Sequence, residues 1–270
     1  MNRSYLFVPG DRPERYAKAL AAGADAVIVD LEDAVAPAAK ESARASLRAW
    51  LTSPTPLTPV LVRVNSADTA WFAEDVALAG LPGVAGIVLP KAERPDHVAR
   101  LMQGGARAVL PLIESALGFH LAHALARQPG VERLLFGSID FSVDLGLAEC
   151  AEELQYFRSQ LVLVSRLAGI LPPVDGVTTT LDDIGRITED TRRARRGGFG
   201  GKLCIHPRQV AHVNAAFAPS AEEAAWAARV LQAVENTDGA AVALDGKMVD
   251  RPVILQAQAI IDEVRRRAGS

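Results

Sequence analysis

The chain has 270 residues, 49% hydrophobic and 23% charged, a globular balance with length for one large domain or two small ones. A net charge of −3 gives no push toward nucleic acid or an anionic membrane surface, and no apolar stretch is long enough to span a bilayer. Cys150 and Cys204 are not spaced as a metal or redox pair, and the opening residues run at once into a strand-like stretch without a signal-peptide pattern, so a soluble cytoplasmic protein is expected.

Apolar runs and helical patterns then alternate. The first run, residues 5–9, ends in Gly10-Asp11 and leads to a helix over 12–22 that Gly23 stops. The second, 26–29, ends in the acidic group Asp30-Leu31-Glu32-Asp33, and an Ala- and Arg-rich helix over 37–51 follows. Pro54, Pro56 and Pro59 mark a loop. A third strand over 59–64 carries Arg63 and Asn65 at its end and precedes a helix near 71–78; a fourth over 86–89 ends in Pro90-Lys91 and precedes a helix over 97–103. Residues 109–113 run into Glu114, 115–128 repeat apolar residues at helical spacing, and 134–139 run into Asp140. A long amphipathic helix over 149–168, a short strand over 170–174 ending in Asp175, a helix over 181–196 and a strand over 200–205 ending in His206-Pro207 complete eight units. Eight such units in about 210 residues predict a (β/α)8 TIM barrel over 1–219. No G-x-G-x-x-G follows the first strand, which argues against a dinucleotide-binding open sheet. From 220 to 270 the pattern changes to helix, hairpin and helix, with Asp245-Gly246 as a two-residue turn. This is read as a C-terminal appendage, packed on the barrel or on a neighbouring subunit, too short to bury much of its own surface.

Every strand end is polar, and barrels carry their active sites there. Glu114 and Asp140 end adjacent strands on one face. Two carboxylates side by side repel unless a cation neutralises them, and oxygen ligands suit magnesium, with manganese as the alternative. Helix capping is the competing role for either group. A 2-keto acid would fill two of the remaining metal positions with its keto and carboxylate oxygens, and the metal would polarise the keto oxygen. Arg63 offers a planar fork for a substrate carboxylate, or an ion pair to Asp30, Glu32 or Asp33. Asn65 either assists or turns the chain. Asp30, Glu32 and Asp33 either reach the metal through water or, as the preferred reading, stand behind the ligands and orient Arg63 and Lys91. Lys91 is a Schiff-base candidate, but a carboxylate-rich mouth keeps it charged, which favours a charge-balancing role. Gly137 and Ser138 offer backbone N–H groups to a carboxylate. The Arg192–Arg196 run before Gly197 complements a helix C-terminus better than it argues for a phosphate site. Arg12 and Lys18 suit either the phosphates of a bulky cofactor or a solvated helix face. The five histidines show no metal-ligand spacing with the cysteines.

Taken together, YLFVPG at 5–10, VDLEDAV at 29–35, VRVN at 62–65, LPKAE at 89–93, LIES at 112–115, GKLCIHP at 201–207 and DGKMVD at 245–250 resemble the citrate lyase beta subunit-like (CitE-like) branch of the HpcH/HpaI aldolase family. The match runs in order over nearly the whole chain. The resemblance implies a barrel of the phosphoenolpyruvate/pyruvate superfamily, assembled as a homotrimer or hexamer. It implies magnesium on Glu114 and Asp140 and a substrate carboxylate on Arg63. It also implies an oxo-acid lyase that cleaves or forms a 3-hydroxy-acyl-CoA thioester, such as citryl-, citramalyl- or malyl-CoA, with an acyl-CoA and a 2-keto acid such as oxaloacetate as the other side of the reaction. In the CoA-using relatives a tail aspartate, matched by Asp250, reaches the active site of the adjacent subunit and handles the proton. The branch also contains subunits that work with an acyl carrier protein and enzymes that hydrolyse malyl-CoA. A thioesterase and a non-catalytic keto-acid-binding subunit are therefore the alternatives.

Overall fold

Eight parallel strands pair side by side in sequence order, and the first closes on the eighth, in a computed structural model that describes residues 2–53, 58–147, 152–235 and 242–268. In chain order, β1 (Ser4–Pro9) leads through a 3-10 turn to α1 (Tyr16–Leu20), and β2 (Ala26–Asp30) through another to α2 (Lys40–Leu51). Then come β3 (Val60–Arg63), α3 (Phe72–Val76), β4 (Val84–Leu89) and α4 (Pro95–Gln103). After β5 (Val109–Ile113) stand two short helices, α5 (Ala116–His120) and α6 (Ala122–Ala126); after β6 (Leu135–Phe136) stand α7 (Ser138–Leu145) and α8 (Gln155–Ala168). The circuit ends with β7 (Val174–Asp175), α9 (Ile184–Arg196), β8 (Gly201–Cys204) and α10 (Pro207–Ala216). This is a (β/α)8 barrel, as the alternation of runs predicts.

The strands are buried on both faces, which is why they read as unbroken apolar runs. Tyr5, Ile28, Leu61, Val88, Leu110, Leu135, Val174 and Leu203, one from each strand, pack into one cluster that fills the barrel. Arg133, completely buried, closes the end opposite the strand carboxyl termini, with bonds to the Tyr5 hydroxyl and the carbonyls of Asn2 and Pro172.

Two local outcomes differ from the hydropathy pattern. The run over 134–139 is strand only through Phe136; Gly137 is then the N-cap of α7, so Asp140 lies in the first turn of a helix. A short apolar run does not distinguish a buried strand from the buried start of a helix. The pattern also did not single out α10, which begins at Pro207, a residue whose fixed φ suits a first helical turn. Cys150 and the start of the helix expected over 149–168 fall partly outside the described residues.

Asn65 has a structural task. Its main-chain N–H and side-chain amide both donate to Asp75 Oδ2, at 2.8 and 2.7 Å, and the other oxygen of Asp75 accepts from Arg44 Nε at 2.6 Å. This buried network ties α2, the end of β3 and α3 together. Asp75→Ala removes the buried one of Arg44's two carboxylate partners, leaving the exposed Glu74, and unpairs Asn65, and a loss of about 3 kcal/mol in chemical denaturation is expected.

The chain divides into two compact units, Met1–Asn214 and Ala215–Ser270. The second consists of α11 (Ala221–Glu235), a hairpin of β9 (Val242–Leu244) and β10 (Lys247–Val249), and α12 (Arg251–Ala268). It has a small core of its own, in which Ala227, Val230, Val249 and Ala257 are packed by Trp226, Leu231 and Ile260. Asp245 and Gly246 both have positive φ, 51° and 74°, as a tight hairpin turn requires. Among the described residues no helix is long and apolar enough to cross a membrane.

Candidate active site

The site grows out of the turn after β2. Asp30, the last residue of β2, pairs in register with Arg63, the last of β3. Its carboxylate accepts the main-chain N–H groups of Glu32 and Ala34 at 2.8 and 3.0 Å, which folds the acidic turn back on itself. Lys40 from α2 pins the same turn through the carbonyls of Leu31 and Glu32, at 2.8 and 2.6 Å. Asp30 then holds Arg63 with two parallel bonds, Nε to Oδ1 at 2.7 Å and Nη2 to Oδ2 at 2.6 Å. Arg63 Nη1 lies 3.2 Å from Asp33 and 3.1 Å from Glu32 Oε2, and the guanidinium stacks over Phe7, 4.8 Å from the ring centroid. The ion-pair reading of Arg63 is the one these contacts show, and because a guanidinium has five donors they leave Nη donors over. Burial opposes the charge on Arg63, but Asp30, Glu32 and Asp33 outweigh it and raise its pKa.

Glu114 follows β5 and is 4% exposed. Its Oε1 accepts the main-chain N–H of Lys91 at 2.6 Å. Lys91 has φ 44°, a left-handed conformation uncommon outside glycine, and the turn that aims this N–H at Glu114 uses that strain. The Lys91 side chain is half exposed, with Nζ 3.4 Å from Glu32 Oε1. Burial lowers the pKa of Lys91, but Glu32, Asp33 and Glu114 more than compensate and raise it, which favours charge balance over a Schiff-base nucleophile.

Glu114 packs directly against Gly137. A Cβ there would lie 2.6 Å from Glu114 Cβ and 2.7 Å from Oε2. The amide of Gly137 is not available to a ligand, because it donates to the Ile113 carbonyl at 2.9 Å. The N–H groups of Ser138, Ile139 and Asp140 precede the first main-chain bond of α7, from Phe141 to the Gly137 carbonyl, and so have no partner within the helix. Gly137→Ala should push Glu114 off this wall and lower kcat/KM by about a hundredfold, as misplacement by an ångström does; steady-state kinetics together with a metal titration of the variant checks this.

Arg63, Asp30, Asp33, Glu114, Gly137, Ser138 and Asp140 line one cavity of about 380 Å3, with Phe7, Leu112, Phe136, Val177 and Leu203 as its apolar walls. Glu32 stands just behind, buried, beside Arg63 and Lys91. Those contacts are electrostatic, since neither Glu32 oxygen has a partner in hydrogen-bonding geometry. Desolvation pushes the Glu32 carboxyl up to about 7, against Arg63 and with Asp33. Desolvation and then the Glu32 charge push Glu114 up to about 8, against the Lys91 N–H and Arg63, while Asp140 adds to the rise. Both carboxyls therefore keep a proton in the folded chain above the ordinary value of 4.5. The metal-free protein should lose stability as pH rises from about 4.5 through 7 and 8, and urea melts at pH 5.5 and 8.5 give the sign directly.

Among the described residues no group of three or more His, Cys, Asp or Glu side chains is arranged as a metal cage. A pair of carboxylates is still enough for magnesium, which keeps most of its positions for water and substrate oxygens. Sequence reasoning missed three contributors. Phe7 lies beneath Arg63, the main chain of Lys91 aims Glu114, and the apolar walls enclose the cavity. Only Phe7 had a signal, as the inward-facing alternate of Tyr5 on the first strand.

A family model described as HpcH/HpaI aldolase/citrate lyase matches residues 3–207. A citrate lyase subunit beta-like protein of Mycobacterium tuberculosis is 39% identical over 98% of this chain and 95% of its own length. A (3S)-malyl-CoA thioesterase of Cereibacter sphaeroides is 34% identical over 95% of this chain and 92% of its own. The crystal structure of the protein CitE from Mycobacterium tuberculosis, in complex with magnesium, acetoacetate and coenzyme A, superposes with a TM-score of 0.86 at 38% identity, covering 100% of this chain and 98% of that one. With these relatives spanning almost its full length, and with a barrel whose mouth gathers the expected acids around one arginine, the chain belongs to the HpcH/HpaI aldolase/citrate lyase family.

Proposed function

We propose that the protein is a magnesium-dependent oxo-acid lyase that cleaves or forms a 3-hydroxy-acyl-CoA thioester, with an acyl-CoA and a small 2-keto acid on the other side of the reaction. The observation that carries this reading is the buried Glu114, facing one cavity with Asp140 and Arg63 and raised by desolvation and by neighbouring acids. A set of crowded, poorly neutralised carboxylates fits a hard divalent cation, which would relieve their repulsion. Glu114 and Asp140 would hold it. When bound, magnesium supplies a Lewis acid for the keto or hydroxyl oxygen of the substrate. The related structure that holds magnesium, acetoacetate and coenzyme A together supports the same set for this chain.

The side chains have separable tasks. Arg63, braced by Asp30, presents its remaining Nη donors to the substrate carboxylate. The first N–H groups of α7 supply further donors, and Phe136, Leu112 and Leu203 keep water from the keto-acid carbons. In cleavage, a water at the mouth takes the hydroxyl proton as the keto group forms, and the electron pair of the breaking carbon–carbon bond passes to the carbon beside the thioester. Asp250, supplied by an adjacent subunit, protonates that carbon, and removes the proton in condensation. This role requires an oligomer, proposed as a homotrimer or hexamer. Exposed Tyr156, Leu163 and Leu167, which share one side of α8, support self-association.

A second reading is favoured by the thioesterase relatives: hydrolysis of a malyl-CoA-type thioester at the same site. Purified protein with magnesium, acetyl-CoA and glyoxylate, pyruvate or oxaloacetate separates the two. Condensation identifies the lyase and its keto acid. Hydrolysis of malyl-CoA without release of glyoxylate identifies the thioesterase. Keto-acid binding without either reaction sinks both and leaves a binding subunit, alone or with an acyl carrier protein.

A further inference from the structure

A second cavity, of about 340 Å3, lies between the β7 and β8 wall and the helices α8 and α9, and shares only Ser138 and Val177 with the cavity at the barrel mouth. Four cationic side chains from three elements line it: Arg158 from α8, Arg186 and Arg193 from α9, and Lys202 from β8. Three carboxylates stand among them. Asp175 takes Arg158 Nε at 2.9 Å, Asp190 gathers Arg186 and Arg193 at 3.2 and 2.9 Å, and Asp183 is turned to the Arg186 N–H as the N-cap of α9. The four cations outnumber these three carboxylates by one, and Asp175 and Asp190 both act on the deepest cation, Lys202.

Lys202 is 2% exposed. Among the described residues the one hydrogen bond of its ammonium runs to the neutral carbonyl of Gly176, at 2.6 Å. An ammonium has three donors, so two remain unused. Arg193 Nε is likewise a buried donor without an acceptor, while Asp175 Oδ2 and Asp190 Oδ1 are buried acceptors outside hydrogen-bonding geometry, the latter held by the charges of Arg186 and Arg193. Buried donors of this kind are costly and are normally met by protein, water or a ligand. The size is that of a small ligand pocket. The Arg run near the end of α9, which suggests a helix C-terminus and nothing more, thus sends one member, Arg193, into a cavity that already holds a buried ammonium.

We propose that this cavity binds a phosphate-type oxyanion, with Lys202 and Arg193 as its principal partners. A tetrahedral anion offers several acceptor oxygens in different directions, which suits an ammonium from the barrel wall and a guanidinium from the outer helix. Neither residue belongs to the machinery at the barrel mouth, so the proposal does not depend on the reaction performed there.

Calorimetric titration of the full-length protein at fixed ionic strength, with orthophosphate and separately with adenosine 3′,5′-bisphosphate, is the test. These probes distinguish a free anion from the phosphate-rich end of a larger CoA-type ligand. Saturable binding of at least one is expected, weakened tenfold or more in Arg193→Met, which should stay folded because Asp190 keeps Arg186 and the Thr178 hydroxyl as partners. Lys202→Met should lose binding too, and a folded Lys202→Met with higher metal-free stability than wild type would fit an ammonium that lacks its anion. Absence of saturable binding to wild type overturns the proposal, as does equal affinity in Arg193→Met.

Discussion

Glu114→Gln is expected to lower kcat/KM by about a thousandfold or more and to weaken magnesium binding, while the fold stays intact. The amide oxygen can still accept the Lys91 N–H, and the side chain keeps the shape that fits against Gly137. Only the negative charge is lost. With its pKa near 8, Glu114 already carries a proton in much of the metal-free protein at neutral pH, so a permanently neutral group costs the fold little and should raise its stability at pH 8.5. A thousandfold is about 4 kcal/mol, the size expected when a group that positions transition-state charge stabilisation is removed. Asp140→Asn should act in the same direction, through a residue at the mouth rather than in the wall. Metal titration, kinetics and melting of both variants give three independent readouts. Activity within a few-fold of wild type in either one removes the metal mechanism.

Much of this site was legible because a parallel barrel writes itself plainly. Strands buried on two faces give runs such as 109–113, and a charged residue straight after such a run, Glu114 or Arg63, has to lie at a strand end. Asp30 and Arg63 became neighbours by register alone. The details that sequence did not reveal share a cause, which is that the backbone decides them. Nothing in Pro90-Lys91 announces a left-handed lysine whose N–H aims Glu114. Nothing in the run over 134–139 says that the strand stops at Phe136, that the Gly137 amide goes to Ile113, or that Asp140 opens a helix. The bond between Asn65 and Asp75 joins residues on different elements, so polarity at a strand end was visible while its structural purpose was not. The cavity beside β8 and its cationic lining were invisible for the same reason, since Arg158, Arg193 and Lys202 are far apart in the chain.

Asp250→Asn should leave keto-acid affinity within about twofold of wild type and lower carbon–carbon cleavage and condensation by 10²–10⁴-fold, the usual worth of a positioned acid or base. The substitution is informative because of where Asp250 sits. It is exposed, immediately before α12, and its Oδ1 accepts the Val253 N–H at 3.3 Å as a helix N-cap. Asparagine caps about as well as aspartate, so the helix survives, whereas Asp250→Ala should also lose about 1 kcal/mol of local stability. The amide cannot exchange a proton with the carbon beside the thioester, so deuterium uptake into acetyl-CoA should disappear with turnover. Thioester hydrolysis forms no such carbon centre. If the protein is a thioesterase, Asp250→Asn should spare hydrolysis, and the same variant then separates the two reactions at one site. Loss of keto-acid affinity with turnover intact would falsify this role for the tail.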